Sequence, residues 1–71
     1  VYRYPVIIEK SAKNYSAYSP DLPGCVATGA TIKETLARMR TAIKFHLEGL
    51  KKEGCDIIEP STRIKYLEIS V

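Results

Sequence analysis

Seventy-one residues suffice for one domain, and a domain this small buries only about 60% of its unfolded surface, so its core needs reinforcement. Two cysteines far apart in sequence, Cys25 and Cys55, do not make the dense pattern of a secreted disulfide scaffold, and no apolar run approaches the roughly 20 residues of a membrane-spanning helix. The formal net charge of +3, from 11 Lys and Arg against 8 Asp and Glu mixed along the chain, describes an ordinary solvated surface better than the Lys/Arg stripe of a nucleic-acid binder. A reducing cytoplasm is the expected compartment, and assembly into a homo-dimer or higher oligomer is the expected remedy for the small core.

The chain opens on a strand, Tyr2 to Lys10. Tyr4, Val6 and Ile8 alternate on one face and Arg3, Ile7 and Glu9 on the other, and Pro5 places it at an edge or at its first ladder residue. Ser11 to Asn14 reads as a hairpin turn, with Asn14 able to take a positive φ. Strand two, Tyr15 to Tyr18, returns antiparallel.

The stretch YSAYSPDLPGCVATG, Tyr15 to Gly29, is the one around which the rest of the chain is organised. Pro20 and Pro23 lack backbone N–H groups, so Asp21 and Leu22 cannot sit in a central ladder. Here the chain turns a rigid, exposed corner, and strand three resumes at Cys25 to Thr28. Rigid loops on a scaffold are where binding groups concentrate. Tyr18, Asp21, Leu22 and Pro23 are therefore the candidate partner-binding residues, an apolar anchor rimmed by one charge.

A single helix comes next. Thr31 and Glu34 have the spacing of a capping box. Ile32, Leu36, Met39, Ile43, Leu47 and Leu50 recur at helical spacing and form one apolar stripe. Gly54 closes the helix as a left-handed residue, with Lys51 and Lys52 in the last turn, where the helix dipole favours cations. Phe45 falls about half a turn from Leu36 by the same periodicity, opposite the stripe; an aromatic there reads as a contact between subunits. Asp56 to Thr62 is a connector broken at Pro60. Arg63 to Val71 alternates as a last strand, with Ile64, Tyr66 and Glu68 on one face and Lys65, Leu67, Ile69 and Val71 on the other. The order β-β-β-α-β predicts an α+β fold of two layers, an antiparallel sheet with one helix packed on one face.

Little in the chain points to catalysis. His46 has no carboxylate partner on its own side of the helix and reads as a boundary histidine. Cys25, His46 and Cys55 lack ligand spacing for zinc, so no metal or other cofactor is expected. Cys25 has no base to activate it and reads as a small buried hydrophobe. The eight acids do not cluster as two-metal phosphodiester chemistry requires. A second reading, from a different class, is a nucleic-acid-binding domain with a basic face of Arg38, Arg40, Lys44 and Lys65.

YPVIIEK, then YSAYSPDLPGCVATG, then the capped helix ending AIKFHLEGLKKEG resemble, over nearly the whole chain, the N-terminal domain of HicB-family antitoxins, a group that includes UPF0150 proteins. The most specific part is SPDLPGCVATG, Ser19 to Gly29, followed by Thr31, Glu34 and Ala42 to Gly49. The resemblance implies a partial RNase H-like fold in dimers or higher oligomers, without nuclease activity. It also implies a partner, a small basic HicA-type toxin that cleaves RNA and is neutralised by contact. HicB proteins usually add a C-terminal DNA-binding module; these residues contain no counterpart to it, and DNA binding is not expected of them.

Overall fold

Pairing begins at the first turn. The computed structural model describes residues 1–71, and in it β1 (Ile7–Lys10), β2 (Tyr15–Tyr18) and β3 (Val26–Gly29) form an antiparallel sheet in the order β1-β2-β3, followed by one helix, α1 (Ile32–Lys52). The Ser11 to Asn14 turn is held by the Ser11 N–H donating to the Asn14 carbonyl at 2.8 Å, and the Ser11 hydroxyl donates to the Asn14 side-chain oxygen at 2.7 Å. The loop closes without left-handed backbone, and Asn14 does not take the positive φ expected of it.

Pairing is shorter than the sequence predicts at the first strand. Ile7 faces Tyr18 in the last β1–β2 pair. Beyond Tyr18 the chain turns away into the proline corner, so Tyr2 to Val6 have no strand to pair with. They continue β1 as an extended arm, and Tyr4, Val6 and Ile8 still pack against the core. Strand three is shifted by one residue from its expected start at Cys25.

Ile8, Ala17 and Ala27 form one cross-strand row on the face beneath the helix. The fully enclosed core is small: Ala17, Leu22, Cys25 and Met39. Leu22, wholly buried, is the corner's hook into it. Gly24, at φ +87, lets the corner turn back toward β3.

Helix α1 has the ends its sequence specifies. The Thr31 hydroxyl accepts from the Glu34 N–H at 3.1 Å. Glu34 does not reach back as a capping box would have it; its carboxylate pairs with Arg38 at 2.7 Å, and Arg38 also donates to the Thr28 carbonyl at 2.9 Å. At the other end the Cys55 N–H donates to Leu50 and the Gly54 N–H to Lys51, with Gly54 at φ +73, a Schellman closure. Where β3 meets the helix start, Gly29 leaves no room for a side chain. A Cβ there would lie 2.7 Å from the Thr35 hydroxyl oxygen and 2.9 Å from its backbone nitrogen.

The last strand does not form. Arg63 to Val71 carry no strand pairing and every residue is exposed, so the fourth strand of the expected β-β-β-α-β order is unpaired within the chain. The radius of gyration is 14.0 Å, against about 11 Å for a compact domain of this length; the tail stands off the body. Its root is tied down. The Tyr4 hydroxyl donates to the Ile58 carbonyl. Asp21 accepts from the Ser61 hydroxyl at 3.0 Å, the Thr62 hydroxyl at 3.0 Å and the Ser61 and Thr62 N–H groups at 3.3 and 3.2 Å. Partial desolvation works to raise the Asp21 pKa, but these donors outweigh it and hold the carboxyl below its ordinary 3.8.

Gly29→Ala should lower stability by about 1–3 kcal/mol, the cost of overpacking a close approach, read as a reduced denaturation midpoint. The Asp21 clamp should respond to pH. A carboxylate whose folded pKa is depressed contributes stability that is complete above its unfolded value and disappears as pH falls through the folded one. The clamp should therefore be at full strength above pH 3.8, weaken below it, and open as pH falls through the lower folded value. The amide resonances of Ser61 and Thr62 should report the opening, and in Asp21→Ala they should already be at their open positions at neutral pH.

Candidate functional site

Each side chain proposed from the corner meets a different environment. Tyr18 lies on the sheet face away from the helix, in a cross-strand row with Ile7 and Val26. That face has no covering layer: Tyr18 is 42% and Val26 66% exposed. Asp21 points at the connector and spends its oxygens on Ser61 and Thr62. Leu22 is enclosed in the core and is not a surface anchor; with prolines on both sides, the corner folds its one large apolar side chain inward. Pro23 is exposed at the tip.

No motif in the sequence singles out Ile7 and Val26. Strand register is the signal for both, since pairing Ile7 and Val26 with Tyr18 places all three on one face of the pleat. The result is a short apolar row at the corner end of the sheet.

Phe45 is 79% exposed. It borders a groove of about 400 Å³ whose lining includes Gly24, Cys25, His46, Gly49 and Glu53. This groove runs along one flank of α1, between helix and corner. The other flank forms a larger trough of about 510 Å³ between the Tyr2–Val6 arm and Leu36, Met39, Ile43 and Leu47, with Arg3, Arg40 and Lys44 around it. The expected helix stripe is thus only partly covered: Met39 is enclosed, whereas Ile32 and Leu36 remain 47% and 42% exposed.

The four cations of the nucleic-acid reading do not share a face. Arg38 is engaged with Glu34 and Thr28, Arg40 and Lys44 flank the trough, and Lys65 stands on the tail. Burial pushes the Cys25 thiol up, which keeps it protonated and poorly nucleophilic at neutral pH. Burial also raises Tyr4, with Tyr2, Glu59 and Asp21 adding to it, so its hydroxyl remains a donor to the connector. No three His, Cys, Asp or Glu side chains lie close enough together to ligate a metal. No helix is long and apolar enough to cross a membrane.

Comparison with known proteins places this arrangement. A family model described as a HicB-like antitoxin of bacterial toxin–antitoxin systems matches residues 4–69. An uncharacterised 14.9 kDa protein of Haemophilus phage HP1 is 40% identical over 64 residues, covering 90% of this chain and 48% of the phage protein. A UPF0150 protein of Thermoplasma acidophilum is 43% identical over 53 residues, covering 73% of this chain and 77% of its own. Against the phage relative, the chain therefore spans about half the length. Among solved structures, a chain of a HicA3 and HicB3 toxin–antitoxin complex superposes with a TM-score of 0.68 at 30% identity, over 84% of this chain and 70% of that one. The family-model match over residues 4–69, with the relatives and the superposition beside it, makes this chain a member of the HicB-like antitoxin family.

Proposed function

We propose that the chain neutralises a small basic, RNA-cleaving toxin of the HicA type by protein–protein contact, acting by binding and without a catalytic step of its own. The observation that carries this reading is the likeness, at TM-score 0.68 and 30% identity, to a chain from a solved toxin–antitoxin complex. The work is assigned to the cytoplasm, where the toxin's RNA targets are.

The contact surface is assigned to the uncovered sheet face at the proline corner. Tyr18, flanked by Ile7 and Val26, supplies a partly exposed aromatic on a rigid strand, the kind of residue that dominates interface energetics. Pro23 extends the surface over the corner. Leu22 contributes from beneath, by fixing the corner in the core, and Asp21 contributes its negative charge while holding the connector. Phe45 lies on another side of the molecule, at the helix groove, and is kept as a contact between copies of the chain. The same groove carries Glu53, whereas the trough flank carries Arg3, Arg40 and Lys44 and is electrostatically unsuited to a basic partner.

The test is suppression of toxin activity. RNA cleavage by the HicA-type protein from the same host should fall in proportion to added chain, reaching background at equimolar amounts. Tyr18→Thr with Val26→Thr should weaken binding roughly 10- to 100-fold and leave the circular dichroism spectrum of the folded chain unchanged, because both positions lie on the uncovered face and threonine keeps the strand preference without placing like charges opposite each other. Cleavage undiminished by excess folded chain would overturn the reading. Unaltered binding by the double variant would move the surface elsewhere.

A further inference from the structure

The tail and the trough are two unfinished parts of one molecule. Tyr66, Leu67 and Ile69 are 91%, 82% and 77% exposed, on a segment whose residues alternate as a strand does. Beside β1, which pairs only with β2, the free edge of the sheet adjoins an apolar trough of about 510 Å³. The chain's own tail does not fill it. The connector is clamped at Tyr4 and Asp21, and from Arg63 onward the chain leads away from the body with every residue exposed.

We propose that the trough is filled by the tail of a second copy: Arg63 to Val71 of each copy adds as a fourth strand along β1 of the other, with Leu67, Ile69 and Val71 facing into the trough. Exchange is reciprocal and closes as a two-fold dimer. The accessible surface supports this occupant. The chain exposes 6076 Å², against about 4,400 Å² for a compact monomer of its mass. The excess, about 1,700 Å² in each copy and so about 3,400 Å² for a pair, falls in the range of obligate dimer interfaces. A tail of this length in strand conformation reaches about 30 Å, enough to run the length of β1 and the Tyr2–Val6 arm that continues it. Adding a strand also satisfies backbone N–H and C=O groups that β1 now presents to solvent. The exchange is independent of any toxin, so its test uses the chain alone.

Sedimentation equilibrium of Phe45→Ser, which lacks the helix-groove contact between copies, should give twice the 7.9 kDa chain mass. Leu67→Glu with Ile69→Glu should raise the dimer dissociation constant roughly 100-fold or more and leave the helical circular dichroism signal unchanged, since neither side chain packs on the body. In a mixture of isotope-labelled and unlabelled chains, methyl contacts should run from Leu67 and Ile69 of one copy to Ile43 and Leu47 of the other. A chain that is monomeric at every concentration overturns the proposal, as do tail-to-trough contacts found only within one copy. A dimer that survives the tail variant but is dissolved by Phe45→Ser overturns it as well, and places the contact at the helix groove.

Discussion

The structure is governed by a mismatch in length. Three strands of four residues each span about 13 Å, and the helix above them, with 21 residues, spans about 31 Å. The sheet can cover less than half of the apolar stripe laid on it. Met39, over the sheet, is sealed, and Leu36 nearer the helix start remains partly open. The small number of fully enclosed side chains is a consequence of that shortfall; the trough has a second cause, since nothing pairs with the outer edge of β1 and Leu36, at the helix start, is left open beside it.

Within this limit the proline corner is the principal tertiary device. It sends Leu22 into the core, turns back through Gly24, and aims Asp21 at Ser61 and Thr62. One short excursion thereby connects the sheet, the helix underside and the connector. The corner's rigidity serves packing first. The row of Ile7, Tyr18 and Val26, which it borders, is left without a covering layer.

The expected architecture and the observed one agree where local chemistry decides. The Thr31 cap, the left-handed Gly54 and the hairpin turn all depend on atoms within a few residues of each other, and each is legible from spacing alone. The resemblance carried by SPDLPGCVATG is legible for a related reason, since a fixed order of turn-forming and core-directed residues leaves little freedom in the fold. The corner's site residues were less legible. Tyr18, Asp21, Leu22 and Pro23 are near neighbours in sequence, yet the pleat, the prolines and the connector send them to the outer sheet face, an internal clamp, the core and solvent. Contiguity along the chain did not make them one surface.

Sequence by itself determined the order of the first four elements, the ends of the helix and the family, because turn chemistry, capping and periodicity act over a few bonds. Only the tertiary structure decided the partner of Asp21, 40 residues away, the inward direction of Leu22, and the absence of a ladder for Arg63 to Val71. Strand formation needs a neighbour as well as a pattern. Alternation in this last segment states which side chains would share a face, but hydrogen-bonded pairing depends on a free edge within reach, and reach is set by where the connector is tied.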